Sequence, residues 1–413
     1  MKNLTLLALI ILLFSPIFSQ NFDASYSEVN EAFNMGYYHD SYRLGIELEG
    51  ELSRANLINE PIYYNTCRII SNSAYFSESW FDVAYYGHIY LDYLAMKTGK
   101  ASFDYIEFGA WIAVAHVNNF SYDDAELLFQ EISHITKEFF ADNNSIKGLL
   151  LTTQGYLSYV NNNDVIAASK FFDEANQLLL TSEGRNNDFY ITIFANLYSY
   201  VLKDGDNANK LLAIIQQGDE AFERLKLQSS SSYYYYCSVA GSNLFALNET
   251  KDQSLIYFMK AKQGISEFFG RDNSIYANIL LMMNYLYEIK GNYAECIALT
   301  LELLDTYSTI YSENNFLYVS QLNALARYYI KTEDLKTAEL ILDDLYILIE
   351  QNFGLSGTEY GEYLITKAGL LSITGKKSEA KELYLKAAQL FETVFGESHS
   401  LVIELKGKAA EIE

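Results

Sequence analysis

The sequence predicts an all-α protein, a solenoid of antiparallel helix hairpins with about nine repeats and a C-terminal capping helix. Three observations lead there. Only two prolines, Pro16 and Pro61, occur in 413 residues, and proline is the residue that helix interiors tolerate least. The segments LMMNYLYEIKGNYAECIA from Leu281, QLNALARYYIKTEDLKTAEL from Gln321 and YLITKAGLLSITGKKSEAKEL from Tyr363 share one pattern with a period of 42 residues. Within each unit a leucine (Leu280, Leu322, Leu364), a smaller residue (Asn284, Ala326, Ala368) and a large one (Tyr287, Tyr329, Leu371) stand at i, i+4 and i+7, one face of a helix.

Composition agrees with a packed helical chain and narrows its partners. At 50% hydrophobic and 20% charged residues, the chain has ample apolar surface to bury. The formal charge of -24 disfavours a phosphate backbone or an anionic lipid surface, because like charges repel. Basic or neutral peptides and cations remain as candidates. Asn and Tyr are abundant, which at this level reads as a compositional habit.

Taken in order, the chain opens on a separate kind of segment. Lys2, the apolar run LTLLALIILLF and Ser19 have the layout of a secretory signal peptide over residues 1–19. The run from Leu4 to Phe18 is shorter than the roughly 20 residues a membrane span takes, and no cysteine lies near it for lipid attachment. A secreted or periplasmic protein without a membrane span is therefore expected. Polar turns follow, each placing a small residue at the start of a second helix, at positions 41, 84, 125, 168, 208, 254, 296, 338 and 380. The gaps are 43, 41, 43, 40, 46, 42, 42 and 42 residues. The widest coincides with the serine run that ends at Ser232, which suggests a loop or hinge at 228–232. It would divide an array of about five repeats (20–227) from one of four (233–396), with 397–413 as an amphipathic cap. An aromatic followed usually by glycine, Phe269-Gly270, Tyr311-Ser312, Phe353-Gly354 and Phe395-Gly396, marks where second helices end.

The run Leu322-Asn323-Ala324-Leu325-Ala326-Arg327-Tyr328-Tyr329 and the turn Gly291-Asn-Tyr293-Ala-Glu295-Cys296 resemble the tetratricopeptide repeat (TPR), in the long-period form of kinesin light chains and bacterial arrays. The resemblance implies a right-handed superhelix whose first helices line a concave channel for an extended peptide or a partner helix. Carried onto this sequence, the channel positions are Asn278, Leu281 and Tyr285, then Ser320, Asn323 and Arg327, then Glu362 and Ile365. Asn323 stands out, since an amide can both donate to and accept from a peptide backbone. Tyr233 to Tyr236, four in a row, are expected to send at least one ring into the channel. The family's proline after the second helix is absent here.

Catalytic signatures do not emerge. There is no G-x-S-x-G elbow, no H-E-x-x-H and no dinucleotide-binding glycine pattern. Gly375-Lys-Lys-Ser lies in a turn between paired helices and lacks the upstream glycine of a phosphate-binding loop. His116 occupies a core position of the pattern, with His134 on the next helix and no third ligand. Cys67, Cys237 and Cys296 are too few and scattered for a disulfide framework and read as small buried residues. The expected function is a non-enzymatic scaffold or adaptor that uses neither cofactor nor metal. Alternatives are a regulatory partner of a separately encoded enzyme, such as a caspase-like peptidase, and a glycan- or small-molecule-capturing protein of the cell envelope.

Overall fold

The computed structural model describes residues 22–77, 79–182, 187–205 and 207–412, so the signal-peptide reading falls outside the described residues. Among the described residues, nineteen α-helices follow one another with no strand. Hairpin 1 pairs α1 (22–34) with α2 (Tyr38–Arg54), and hairpin 2 pairs α3 (Pro61–Phe76) with α4 (Trp80–Lys97). Hairpins 3 and 4 are α5 (Phe103–Asn118) with α6 (Tyr122–Phe139) and α7 (Asn144–Asn162) with α8 (Val165–Thr181). Hairpins 5 and 6 are α9 (Asn187–Leu202) with α10 (Ala208–Arg224) and α11 (Ser231–Phe245) with α12 (Lys251–Phe268). Then come α13 (Ser274–Ile289) with α14 (Tyr293–Tyr311), α15 (Phe316–Lys331) with α16 (Leu335–Asn352), and α17 (Thr358–Ile373) with α18 (Lys377–Phe395). The terminal helix α19 (Ser400–Glu411) packs on α18.

Local chemistry explains where these helices begin and end. Asn143, Asn207, Asn273 and Asn315 each accept a backbone N–H at a helix N-terminus, as do Ser102, Asp164, Ser230 and Asp334. Part of the asparagine that reads as compositional habit is thus capping chemistry. At the other end, Gly270, Ser312, Gly354 and Gly396 all take positive φ, so the left-handed position is kept where serine replaces glycine. The same holds between paired helices, where Glu333 at φ 64° occupies the place of Gly291 and Gly375.

The small-residue register is corrected at two places. Ser41, Ala125, Ala168, Ser254, Cys296, Ala338 and Ala380 are fully buried in the fourth position of a second helix. In α4 that position belongs to Val83 rather than Ala84, and in α10 to Leu211 rather than Ala208, which begins the helix. Replacing 84 and 208 with 83 and 211 leaves every gap at 42 or 43 residues. The wide gap at the serine run disappears: Ser230 caps α11 and Ser231 is buried inside it. The chain separates instead into two compact units, one ending at Phe269 and the other beginning at Gly270.

Within unit 1, α5 packs on α7, α7 on α9 and α9 on α11, and within unit 2 α15 packs on α17. Second helices show no comparable pairing among themselves. First helices therefore crowd together on the inside of each stack. Large side chains fill the space between successive hairpins, as where Phe172 of α8 stacks on Tyr198 of α9 at 4.4 Å between ring centroids. A recurring polar link spans 26 residues within hairpins: the Tyr105 hydroxyl donates to Glu131 at 2.5 Å, Tyr276 donates to Glu302, and Lys386 donates to the Tyr360 hydroxyl at 3.1 Å. Many of the tyrosines thus place the ring in the core and the hydroxyl on a charged partner at its edge. In the last repeats the deeper aromatic of α15 is Tyr328, not Tyr329; it donates to Glu288 at 2.9 Å.

Candidate partner-binding face

On unit 2, three rows of side chains cross α13, α15 and α17 at the 42-residue period: Asn278, Ser320 and Glu362; Leu281, Asn323 and Ile365; Tyr285, Arg327 and Gly369. Asn278, Ser320, Arg327 and Glu362 are exposed, and Tyr285 keeps 46% of its surface. Leu281 is half-buried, and Ile365 is half-buried against the core around Leu364 and Tyr363. Asn323 differs: it is 7% exposed, and its Oδ1 is buried without a hydrogen-bond partner. An unsatisfied buried carbonyl costs about 1–3 kcal/mol. It stands in the middle row just beneath the face, and a donor from outside reaches it only when the side chain turns outward.

The charges on this face are arranged as opposites. The Arg327 guanidinium lies over the Tyr328 ring at 5.9 Å, and its charge favours ionised Glu362 on the neighbouring first helix. Neighbouring atoms nevertheless displace enough water from the Glu362 carboxyl to raise its pKa, and Glu359 adds to the rise. The face thus offers a flat ring, a guanidinium, a poorly solvated carboxylate and a buried acceptor.

Unit 1 presents its inner surface differently. Tyr235 of α11 is 7% exposed, with Tyr233 and Tyr236 also buried, so the four-tyrosine run serves mainly as core. Tyr235 does reach the inner side, but there it meets Tyr75 of α3 at 5.1 Å. Tyr75 also packs on Trp80 and Trp111, and accepts a hydrogen bond from Asn196 of α9 at 3.1 Å. Residue patterning misses this convergence; its one available signal was that Trp80 and Trp111 are the sequence's only tryptophans.

His116 is a buried core residue, but its neighbour is not His134, whose side chain is exposed beside Glu138. It is His88 of α4, with the two Nε2 atoms 2.6 Å apart. At that distance one neutral ring donates and the other accepts, and burial together with His88 lowers the His116 pKa, opposed by Asp124. Among the described residues, no three His, Cys, Asp or Glu side chains converge as metal ligands, and no helix is long and apolar enough to cross a membrane. All three cysteines are buried thiols.

The tetratricopeptide repeat model matches residues 363–401, spanning most of α17, all of α18 and the start of α19. The chain carries a TPR over that stretch. A solved structure of similar fold is the signal transduction ATPase with numerous domains and a tetratricopeptide repeat sensor from Pyrococcus horikoshii. It is 13% identical with a TM-score of 0.53, and the match covers 87% of the TPR chain and 55% of the archaeal one. The apo form of RapI is 11% identical with a TM-score of 0.47 and coverages of 95% and 97%. The Podospora anserina putative kinesin light chain TPR-like repeats are 9% identical with a TM-score of 0.43, covering 51% of this TPR chain and 99% of that one. Likeness at this identity speaks to fold. No curated protein sequence matches the chain.

Proposed function

We propose that this TPR protein is a non-enzymatic scaffold that holds an extended, basic or neutral peptide segment of a partner protein against α13, α15 and α17. The observation that carries the reading is Asn323 in the middle row of unit 2, whose Oδ1 has no partner, with Leu281 and Ile365 in its own row and Tyr285 and Arg327 in the next. A peptide backbone supplies the missing donor whatever its sequence, the Tyr285 ring covers an apolar side chain at little entropic cost, and Glu362 attracts a basic one. The net charge of -24 favours the same class of partner. The apolar N-terminal run makes export to the periplasm or beyond the natural setting for the encounter.

The test is selection of peptides from a displayed random library on the wild-type protein, followed by affinity measurements on Asn323→Ala/Arg327→Ala. A drop of about tenfold or more, about 1.4 kcal/mol, with an unchanged melting temperature supports the face. Peptides that bind the double variant as tightly as wild type, or that lose affinity equally on Leu340→Ala of α16, place the site elsewhere.

A further inference from the structure

Phe120, in the turn between α5 and α6, has φ 59°, in the left-handed region that a bulky side chain enters only under strain. Its amide donates to the Val117 carbonyl at 3.0 Å, and the next amide donates to the His116 carbonyl at 2.9 Å. The same pair of bonds closes the turns at Gly36, Gly291, Glu333 and Gly375, whose φ values lie between 64° and 82°. Glycine is the residue that such a position favours. Phe120 nevertheless stands there with 80% of its surface exposed, more than any other large apolar side chain among the described residues. Its ring meets Tyr122 edge-on at 6.4 Å. The fold therefore carries both the strain and the exposed ring without burying it.

Nearby outward positions are apolar as well. Two residues before and after the buried fourth position, α4 carries Phe81 and Tyr85, α6 carries Asp123 and Leu127, and α8 carries Ile166 and Lys170. Phe81, Tyr85, Leu127 and Ile166 are all exposed, at the turn ends of three consecutive hairpins. The same positions hold Ala294 and Ala298 on α14, Lys336 and Leu340 on α16, and Ser378 and Glu382 on α18. Exposed apolar surface gathered in this way marks a contact site. Exposed carboxylates stand among these side chains: Asp123, Asp124 and Glu126 of α6, and Asp164 at the start of α8. With a chain charge of -24 they repel a second copy of the chain and an anionic lipid surface, and they attract a basic rim. We propose that Phe120 anchors a second protein interface, entering an apolar pocket rimmed by lysine and arginine on a folded partner, with Tyr122 and Leu127 seated beside it. Binding energy at such interfaces concentrates in an aromatic anchor that fills a pocket. Strain kept at an exposed position is likewise a mark of function rather than of stability. Together with the peptide face of unit 2, this interface makes the molecule an adaptor for two proteins.

Phe120→Gly separates an anchor from a structural ring. Truncating a structural ring lowers stability, whereas relieving strain raises it, so the urea midpoint of the full chain, read by tryptophan fluorescence, is expected to rise by about 0.3 M. A fall overturns the proposal. The partner is identified by installing photoreactive p-benzoylphenylalanine at position 120 of the full chain in its native cells and analysing the adduct by mass spectrometry. The purified partner is expected to bind wild type with a Kd that weakens about tenfold or more on Phe120→Gly. It should weaken about tenfold again between about 50 and 500 mM salt, as a basic rim facing carboxylates requires. Arg327→Ala on unit 2 should leave it unchanged. Binding indifferent to Phe120→Gly, or lost on Arg327→Ala instead, overturns the proposal. Adducts only with a second copy of the chain or with lipid, or no adduct at all, equally overturn it.

Discussion

The inner faces of the two units are both built from first helices and differ in how far their side chains pack against one another. In unit 1 they carry Tyr75, Trp111, Asn196 and Tyr235, which converge on one another, Tyr235 buried and the other three half-buried. In unit 2 they carry Asn278, Tyr285, Ser320, Arg327 and Glu362, which stay exposed around a buried, unpartnered Asn323 carbonyl. The repeat fixes where a side chain points, and the identity of that side chain fixes whether the face becomes core or contact surface. Large rings at short range remove their apolar area from water by meeting each other. Small polar and charged residues have nothing to gain by doing so.

The largest expected effect breaks the comparison most sharply. Tyr235→Ala should destabilise unit 1 by about 3 kcal/mol, as truncation of a buried aromatic does, read as a lower urea midpoint of tryptophan fluorescence. Tyr285→Ala should change stability by no more than about 0.5 kcal/mol, as at other surface positions, read by circular dichroism. Similar losses at both positions would mean the two faces are equally buried.

Next in size is an acid effect confined to unit 1. The His116 pKa is lowered in the fold, so the unfolded chain takes up a proton first as pH falls below the ordinary value of 6.5. Stability of unit 1 is complete above that pH and declines below it. Burial and His88 on α4 drive the effect, and Asp124 on α6 opposes it. His116→Gln should flatten the fluorescence-detected midpoint between about pH 6.5 and pH 4.5; an unaltered slope would assign the acid sensitivity to other groups.

Ser312→Gly should add about 1 kcal/mol to unit 2, because serine at φ 71° carries a strain that glycine lacks. A calorimetric shift downward would contradict the left-handed register at this helix end. The smallest effect is at Glu362, whose raised pKa means its charge opposes folding. Glu362→Gln should bring a slight gain at pH 7 that fades as pH falls below the ordinary 4.5, where the carboxyl is protonated in both states. A loss at pH 7 would show that attraction to Arg327 outweighs desolvation.

The hairpin repeat was legible because every unit obeys one period, and its signals, the buried small residue and the left-handed helix end, are local in sequence. Two turns were misread, at 84 and 208, since an alanine beside a polar turn imitates the buried position that Val83 and Leu211 fill. That slip widened the gap at the serine run, where residues 228–230 form the loop that was one of the two readings of 228–232. The rows of unit 2 were legible as positions because the period places them. Their states were not: Asn323 is buried although it stands in the same row as the half-buried Leu281 and Ile365. The contact of hairpins 1 and 2 with hairpin 6 was illegible for a deeper reason. Tyr38, Tyr75 and Tyr235 meet through the accumulated turn of six hairpins, and no periodicity encodes where a curve returns to itself. The pairing of His116 with His88, one helix earlier, rather than with His134 is a smaller instance of the same gap.

The most direct test of the contrast between the two faces is thiol accessibility in the full chain, where the native Cys67, Cys237 and Cys296 are buried. Single cysteines at Tyr285, Arg327 and Glu362 on unit 2, and at the buried Tyr233, Tyr235 and Tyr236 on unit 1, would be timed against a small maleimide. The account predicts unit 2 positions reacting within about threefold of the urea-unfolded chain and unit 1 positions slower by about a hundredfold or more. Comparable rates in the two sets, with every variant folded, would contradict it.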